Sequence, residues 1–300
     1  MIKQDMNQTA TKKGDNIDMT NLHYESTGET KVTRYGVTLR RIRATKDLPH
    51  FGVKTGDVGG WIEHTGNLAG NAWVDDEAQV FGNAKVYENA LVSDNARVFG
   101  DAEVHGSARV YEDAEVYGNA EVYENARVYW GAVVSGYARV FGGAWVYSDA
   151  EIYGDAQVYG SAKVYGDATV SGNARVSGDA RVFDDAWVLG NARVFGGAWV
   201  YGDAKVGGYA QVYGDARIER DCDYLYTVTC TSSQFNLTLT RQKSGKHLIR
   251  MGCWEGTIDK FESLIAQPKW IETKEEDTDE ARPEMEILAS LMRARIERWK

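Results

Sequence analysis

Cysteine and histidine are scarce in this chain, and no apolar run reaches the length of a membrane span. The three cysteines, Cys222, Cys230 and Cys253, are odd in number and lack paired CxxC spacing. They read as ordinary thiols in a reducing compartment, not as a disulfide framework or a metal site. Of the five histidines only His105 falls in the long middle segment; His23, His50, His64 and His247 are scattered to either side. That scatter offers no histidine cluster for a metal. Ser232 and Ser233 likewise have no neighbouring histidine to make a nucleophile. The missing apolar run excludes a spanning helix, and the polar N-terminus has no apolar signal-peptide centre.

Charge is uneven. The net charge is −10, yet residues 1–60 carry 10 basic against 7 acidic side chains and residues 61–220 carry 12 basic against 23 acidic. An acidic chain of this kind does not suit general binding to nucleic acid.

What the chain has in abundance is one period. Alanine stands at Ala72, Ala78, Ala84 and every sixth residue to Ala216, 25 positions without exception. Two residues after each alanine comes valine, or isoleucine at Ile152 and Ile218. Tyr, Phe or Ser follows, then a Gly/Asp/Asn/Ser corner. Ala-x-Val is a short strand in which Ala and Val share one face and x points the other way. Gly, Asn and Asp tolerate the left-handed corner that follows. A strand of three with a turn every six residues cannot build hairpins. It can build a coil with flat walls. The segment RVFGGAWVY recurs identically at 139–147 and 193–201, an offset of 54 residues. That is three coils of 18 residues, and it keeps every residue on its own wall. The hexads predict about eight coils and a rod roughly 40 Å long, at about 4.8 Å per coil.

An aliphatic residue at i and a small one at i+4, as in Val74 and Ala78, resembles the hexapeptide repeat of left-handed parallel β-helices. The resemblance covers about half the chain and implies a triangular prism. The flanks VKTGDVGGWIE (53–63) and GCWEGTIDKFESLI (252–265) resemble phage and prophage hexapeptide-repeat proteins, which carry a GGW cap and a GC(F/W)xGTxxEF tail domain. That implies a mobile-element origin and the cytoplasm of a bacterial host, and it supplies no activity.

The fold expected is mainly β: a left-handed parallel β-helix with an N-terminal β cap and a small C-terminal α+β domain ending in an amphipathic helix. The divisions are a disordered tail at 1–21, the cap at 22–66 and the β-helix at 67–220. After these come the α+β domain at 221–270, an acidic linker at 271–283 and the helix at 284–300. An open solenoid end exposes unpaired strand groups and bare core, so a cap is physically required. Residues 223–230, 235–240 and 246–251 read as strands, and GTIDKFESLIAQ as a helix ended by Pro268. Met285, Leu288, Met292, Ile296 and Trp299 fall on one face of the last helix. That face suits either a coiled-coil seam or packing on the preceding domain.

Catalysis finds little support. Hexapeptide acyltransferases imply a histidine on the rod and a loop interrupting the coils. Here the coils are unbroken, and His105 occupies an outward position otherwise filled by Tyr. GDVGGW lacks the lysine of a phosphate-binding loop. Thr169 is the only threonine in the hexads, against the rows that ice binding wants.

One wall differs. Its outward x column reads Trp73, Leu91, Arg109, Arg127, Trp145, Lys163, Arg181, Trp199 and Arg217, with no acid. The column beside it carries Tyr111, Tyr129, Tyr147, Tyr165, Phe183 and Tyr201 on consecutive coils. Stacked identical rings stabilise any solenoid. A rigid face rich in Trp, Tyr and Arg also has the composition of interface hot spots. The expected activity is therefore non-catalytic: a binding or scaffold protein that meets a partner protein through this wall. A homo-oligomer is expected, no cofactor is needed, and inhibition of a host defence protein fits the mode. Nucleic acid ranks below protein because the rest of the rod is acidic. Imitation of DNA by that acidity is opposed by the intermingled Arg and Lys. A structural filament and a hexapeptide acyltransferase are the alternatives.

Overall fold

The computed structural model describes residues 22–229, 234–270 and 275–299. The tail assigned to 1–21 lies outside them, as do Cys230, Ser232 and Ser233. Strands β1 (Tyr24–Val32), β2 (Thr38–Ala44) and β3 (Val58–Ile62) come first. Each hexad then forms a two-residue strand, from β4 (Trp73–Val74) to β28 (Arg217–Ile218). A strand pairs in parallel with those one coil away: Arg109 lies opposite Leu91 on one side and Arg127 on the other. This 18-residue register sorts the hexads into three parallel sheets. Every repeat alanine, and the valine or isoleucine two residues after it, is buried at 0% exposure in one continuous core. The architecture is a parallel β-solenoid, as the hexads predict.

It runs about nine turns, not eight. Trp61–Ile62 pairs in parallel with Gln79–Val80, and Leu68 bridges Val86. Part of the predicted cap is therefore a first coil. Its period is hidden because Gly60 takes the alanine position. A Cβ there would sit 2.7 Å from the Ala78 carbonyl, and one on Gly59 would sit 2.5 Å from the Trp73 ring. The GGW motif is thus a close approach of two coils.

The coil-to-coil bonds that flank each two-residue strand run toward the next coil. The Arg109 amide donates to the Ala126 carbonyl at 2.9 Å, and Tyr111 to Val128 at 3.0 Å. From these bonds the N-terminal end is left with carbonyls to pair and the C-terminal end with amides. Buried backbone groups must find partners, so each end needs a different closure. At the N-terminal end β1, β2 and β3 pair antiparallel above the first coils. His23 bonds the Ala72 carbonyl at 2.7 Å. Asn67 Nδ2 donates to the carbonyls of Gly82 at 3.0 Å and Ala84 at 2.9 Å. At the C-terminal end the amide of Lys205 donates to Asp221 Oδ1 at 2.7 Å, and that of Gln211 to Thr238 Oγ1 at 3.1 Å. Tyr224 and Tyr226 pack onto the last of the solenoid core.

The C-terminal sheet has four antiparallel strands: β29 (Tyr224–Val228), β30 (Asn236–Arg241), β31 (His247–Met251) and β32 (Trp254–Gly256). The fourth pairs back because Gly252 turns with φ +57°. Helix α1 (Ile258–Ile265) and helix α2 (Glu275–Glu297) complete the domain. The segment 271–283, expected as an acidic linker, is helical from Glu275 onward. Residues 271–274 lie outside the described residues, but α2 already runs from Glu275 and holds Pro283 inside it. Proline favours the first helical turn, which suggested a start at Pro283. Inside a helix it loses one backbone bond, and tertiary packing offsets that here. Ala281 and Met285 are fully buried beside Trp270, and Arg282 donates to the Gln267 carbonyl at 2.9 Å. Met285, Leu288 and Met292 are buried in the same core, with Ile296 and Trp299 packed against it. The apolar face of the helix is spent within its own domain.

Candidate functional site

The predicted wall exists as one nine-stranded parallel sheet. Arg109, Arg127, Trp145, Lys163, Arg181 and Trp199 stand in register on successive coils. Arg109 and Arg127 are exposed; the other four are half-buried. The tryptophans are held between cations from adjacent coils. Arg127 lies 5.1 Å and Lys163 4.5 Å from the Trp145 ring, while Arg181 lies 4.9 Å and Arg217 4.2 Å from Trp199. Such contacts stabilise by roughly 0.5–1 kcal/mol each at exposed sites.

Tyr111, Tyr129, Tyr147, Tyr165, Phe183 and Tyr201 form one stack, with centroids 4.8–5.1 Å apart. The spacing is that of the coils themselves, so each ring covers the next. Burial in the stack pushes the Tyr129 phenol up to about 12. Aromatic stacks are not peculiar to this wall. Tyr87, His105, Tyr123, Phe141 and Tyr159 stack on another at 4.7–5.1 Å, and Phe81, Phe99 and Tyr117 on the third. His105 is thus one ring in a ladder. The ladders are a general device of the rod and identify no site by themselves.

Two features of the wall were not legible in its columns. The corner beside the ladder carries acids, Asp94, Glu112 and Asp184, so the acid-free character belongs to the x column alone. The same corner also carries Trp130. It is 49% exposed and adopts φ +58°, where the other described solenoid corners hold Gly, Asp, Glu or Ser. A bulky side chain in the left-handed region is uncommon and costly. The Trp130 amide is fixed by Glu112 Oε2 at 3.0 Å. Its ring meets Tyr129 at 5.2 Å and Tyr147 edge-on at 5.6 Å. Trp130, Tyr129, Trp145 and Tyr147, with Arg127 and Lys163, therefore form one aromatic-basic patch at mid-rod. The out-of-place tryptophan at position 130 was the available sequence signal.

Three of the remaining histidines lie at the ends of the rod or in the C-terminal domain. His23 is buried in the N-terminal cap, and burial holds its pKa below the ordinary value. His64 bonds the Gly82 carbonyl at 2.9 Å. His247 Nε2 accepts the Ile258 amide at 2.8 Å at the start of α1, and burial lowers its pKa as well.

A family model described as YdcK Beta solenoid repeat matches residues 162–176 and 174–190. Both matches fall inside the hexads, so the likeness is to a stretch of the rod. No curated protein matches the chain. The molecule is a β-solenoid scaffold, closed at both ends, with an aromatic-basic patch midway along one wall. Among the described residues no helix is long and apolar enough to cross a membrane.

Proposed function

We propose that this chain is a non-catalytic binding protein whose rigid solenoid presents the mid-rod patch to a partner protein. The observation that carries the reading is Trp130. A large apolar ring is held exposed in a strained backbone position, beside two stacked tyrosines and a tryptophan flanked by cations. Local backbone strain of this kind marks sites of function more often than sites of packing. Trp, Tyr and Arg are also the residues in which binding energy concentrates. A filament built end to end would need free strand edges, and the hydrogen bonds that close both ends of the rod speak against it. A phage or prophage origin, a bacterial cytoplasmic setting and inhibition of a host defence protein are finer readings. They rest on the resemblance of the GGW and GCWEGT flanks.

The test is capture from bacterial lysate by wild type, by Trp130→Gly and by Arg127→Glu/Trp145→Ala/Arg181→Glu. Circular dichroism would confirm the fold of each. A protein held by wild type and released by both variants supports the reading. If that protein is a second copy of this chain, the patch is a self-association surface. An identical catch from all three leaves the wall a stabilising ladder and overturns the proposal.

A further inference from the structure

A second surface lies on a different wall and stands apart from the patch. The residue before each hexad alanine forms a corner column. Across the 25 hexads it is Asn, Asp, Ser, Gly or Glu, with two exceptions, Tyr137 and Tyr209. Both fall on the same corner, 72 residues and therefore four coils apart. They are 64% and 57% exposed, the most exposed aromatic rings on the rod. Rings left this open to solvent gain less from burial than those in the ladders, so packing alone does not explain either residue.

Between them runs a groove made of two adjoining depressions of about 450 and 410 Å³, which share Asn173 and Arg175. Between the tyrosines its floor is the x column Arg139, Gln157, Arg175, Arg193 and Gln211, and Glu121 of the same column lines its outer end beside Tyr137. Arg139, Arg175 and Arg193 are exposed, and none of their side chains makes a hydrogen bond, an ion pair or a ring contact among the described residues. Elsewhere on the rod the x-column cations commonly lie over tryptophans or against carboxylates. The corner between the two tyrosines carries the amides Asn173 and Asn191 and one acid, Asp155.

The backbone of this wall has nothing to offer a ligand. The Arg139, Gln157 and Arg175 amides already donate to the carbonyls of the next coil at 2.9 Å. A peptide strand could not add to it by main-chain pairing. Recognition must come from side chains: flat rings at the two ends, and amides and guanidiniums between. Carboxamides suit vicinal hydroxyls, exposed tyrosines suit the apolar faces of sugar rings, and arginine suits carboxylate or sulfate. The site is about 19 Å long at about 4.8 Å per coil. One coil is about as tall as one pyranose repeat, so the groove spans four or five sugar units. A nucleic acid strand wants a stacking platform and a cation at every nucleotide. Here the rings stand only at the ends, and Asp155 would face a phosphate.

We propose that the groove between Tyr137 and Tyr209 binds an extended acidic oligosaccharide. The experiment is an array of defined uronate-containing, sialylated, sulfated and neutral oligosaccharides, with a short single-stranded DNA as a further probe. It is read with wild type, Tyr137→Asn/Tyr209→Asn and Arg175→Gln/Arg193→Gln. The first variant restores the ordinary corner residue, and circular dichroism checks both folds. The expected result is binding to one or more acidic oligosaccharides, weakened about tenfold or more by each variant. No acidic oligosaccharide bound, or binding indifferent to both variants, overturns the proposal. Variant-sensitive binding of the DNA alone would make the groove a nucleic acid site and overturns it equally. The Trp130 patch is untouched by these variants, so either proposal can fail alone.

Discussion

Replacing Asn67 by alanine should open the N-terminal end of the rod. Asn67 is fully buried and serves both directions at once. Its Oδ1 accepts the amides of Glu63 at 3.2 Å and His64 at 2.9 Å, while its Nδ2 donates to the carbonyls of Gly82 and Ala84. Four hydrogen bonds at about 1 kcal/mol each give a loss of about 4 kcal/mol, before any penalty for groups left unpaired. Because a solenoid's stability is a sum of neighbour terms, the loss should fall locally on the first coil. Amide exchange is the suitable assay. Protection of Trp61 and Glu63, which bond the carbonyls of Ala78 and Val80, should drop roughly a thousandfold. Protection at mid-rod should be unchanged. Asn67→Asp keeps the acceptor and turns an oxygen toward two carbonyls, so it should lose at least the two donor bonds. Asn83→Ala is the control, since Asn83 is exposed and bonds only Asp101 through its side chain. A loss of protection below about tenfold in Asn67→Ala would refute the assignment of Asn67 as the end closure.

Ala150→Leu should overpack the prism, since Ala150 is fully buried between coils, and cost roughly 1–3 kcal/mol; an unchanged thermal midpoint would contradict that. Tyr147→Ala removes stacks to Tyr129 at 5.0 Å and Tyr165 at 4.8 Å, and should cost about 2 kcal/mol in ring contacts alone, measurable by denaturant unfolding. His23 and His247 are both held below the ordinary 6.5 by burial. Their folded forms favour the neutral ring, so their contribution is complete above about 6.5 and is lost as pH falls through the lower folded values. Unfolding midpoints should therefore decline on acidification below about pH 6.5, and His247→Gln should flatten part of that decline.

The rod was legible because its rule is local and repeated. Alanine and valine at fixed spacing set which side chains face inward, and every one of them is buried. The C-terminal strands and α1 were legible for the same reason: short apolar runs end in turn residues. The first coil was not legible, because Gly60 replaces alanine where two coils touch. The start of α2 was not legible either, because contacts of Ala281, Arg282 and Met285 with distant residues override the local preference of Pro283.

The candidate surfaces divide in the same way. Columns on a wall follow from arithmetic on an 18-residue coil, so the in-register cations and the aromatic stack could be read directly. Their pairing could not. Tryptophans seated between cations, comparable ladders on all three walls and the patch around Trp130 depend on where side chains meet across coils and corners. The sequence by itself determined the solenoid, its register and its inward face, because a strict period leaves the backbone one economical way to bury alanine and valine. Only the tertiary structure decided how the two ends close and which outward side chains remain free. Those outcomes rest on which backbone groups each end has left to pair, and on contacts between residues a full coil or more apart.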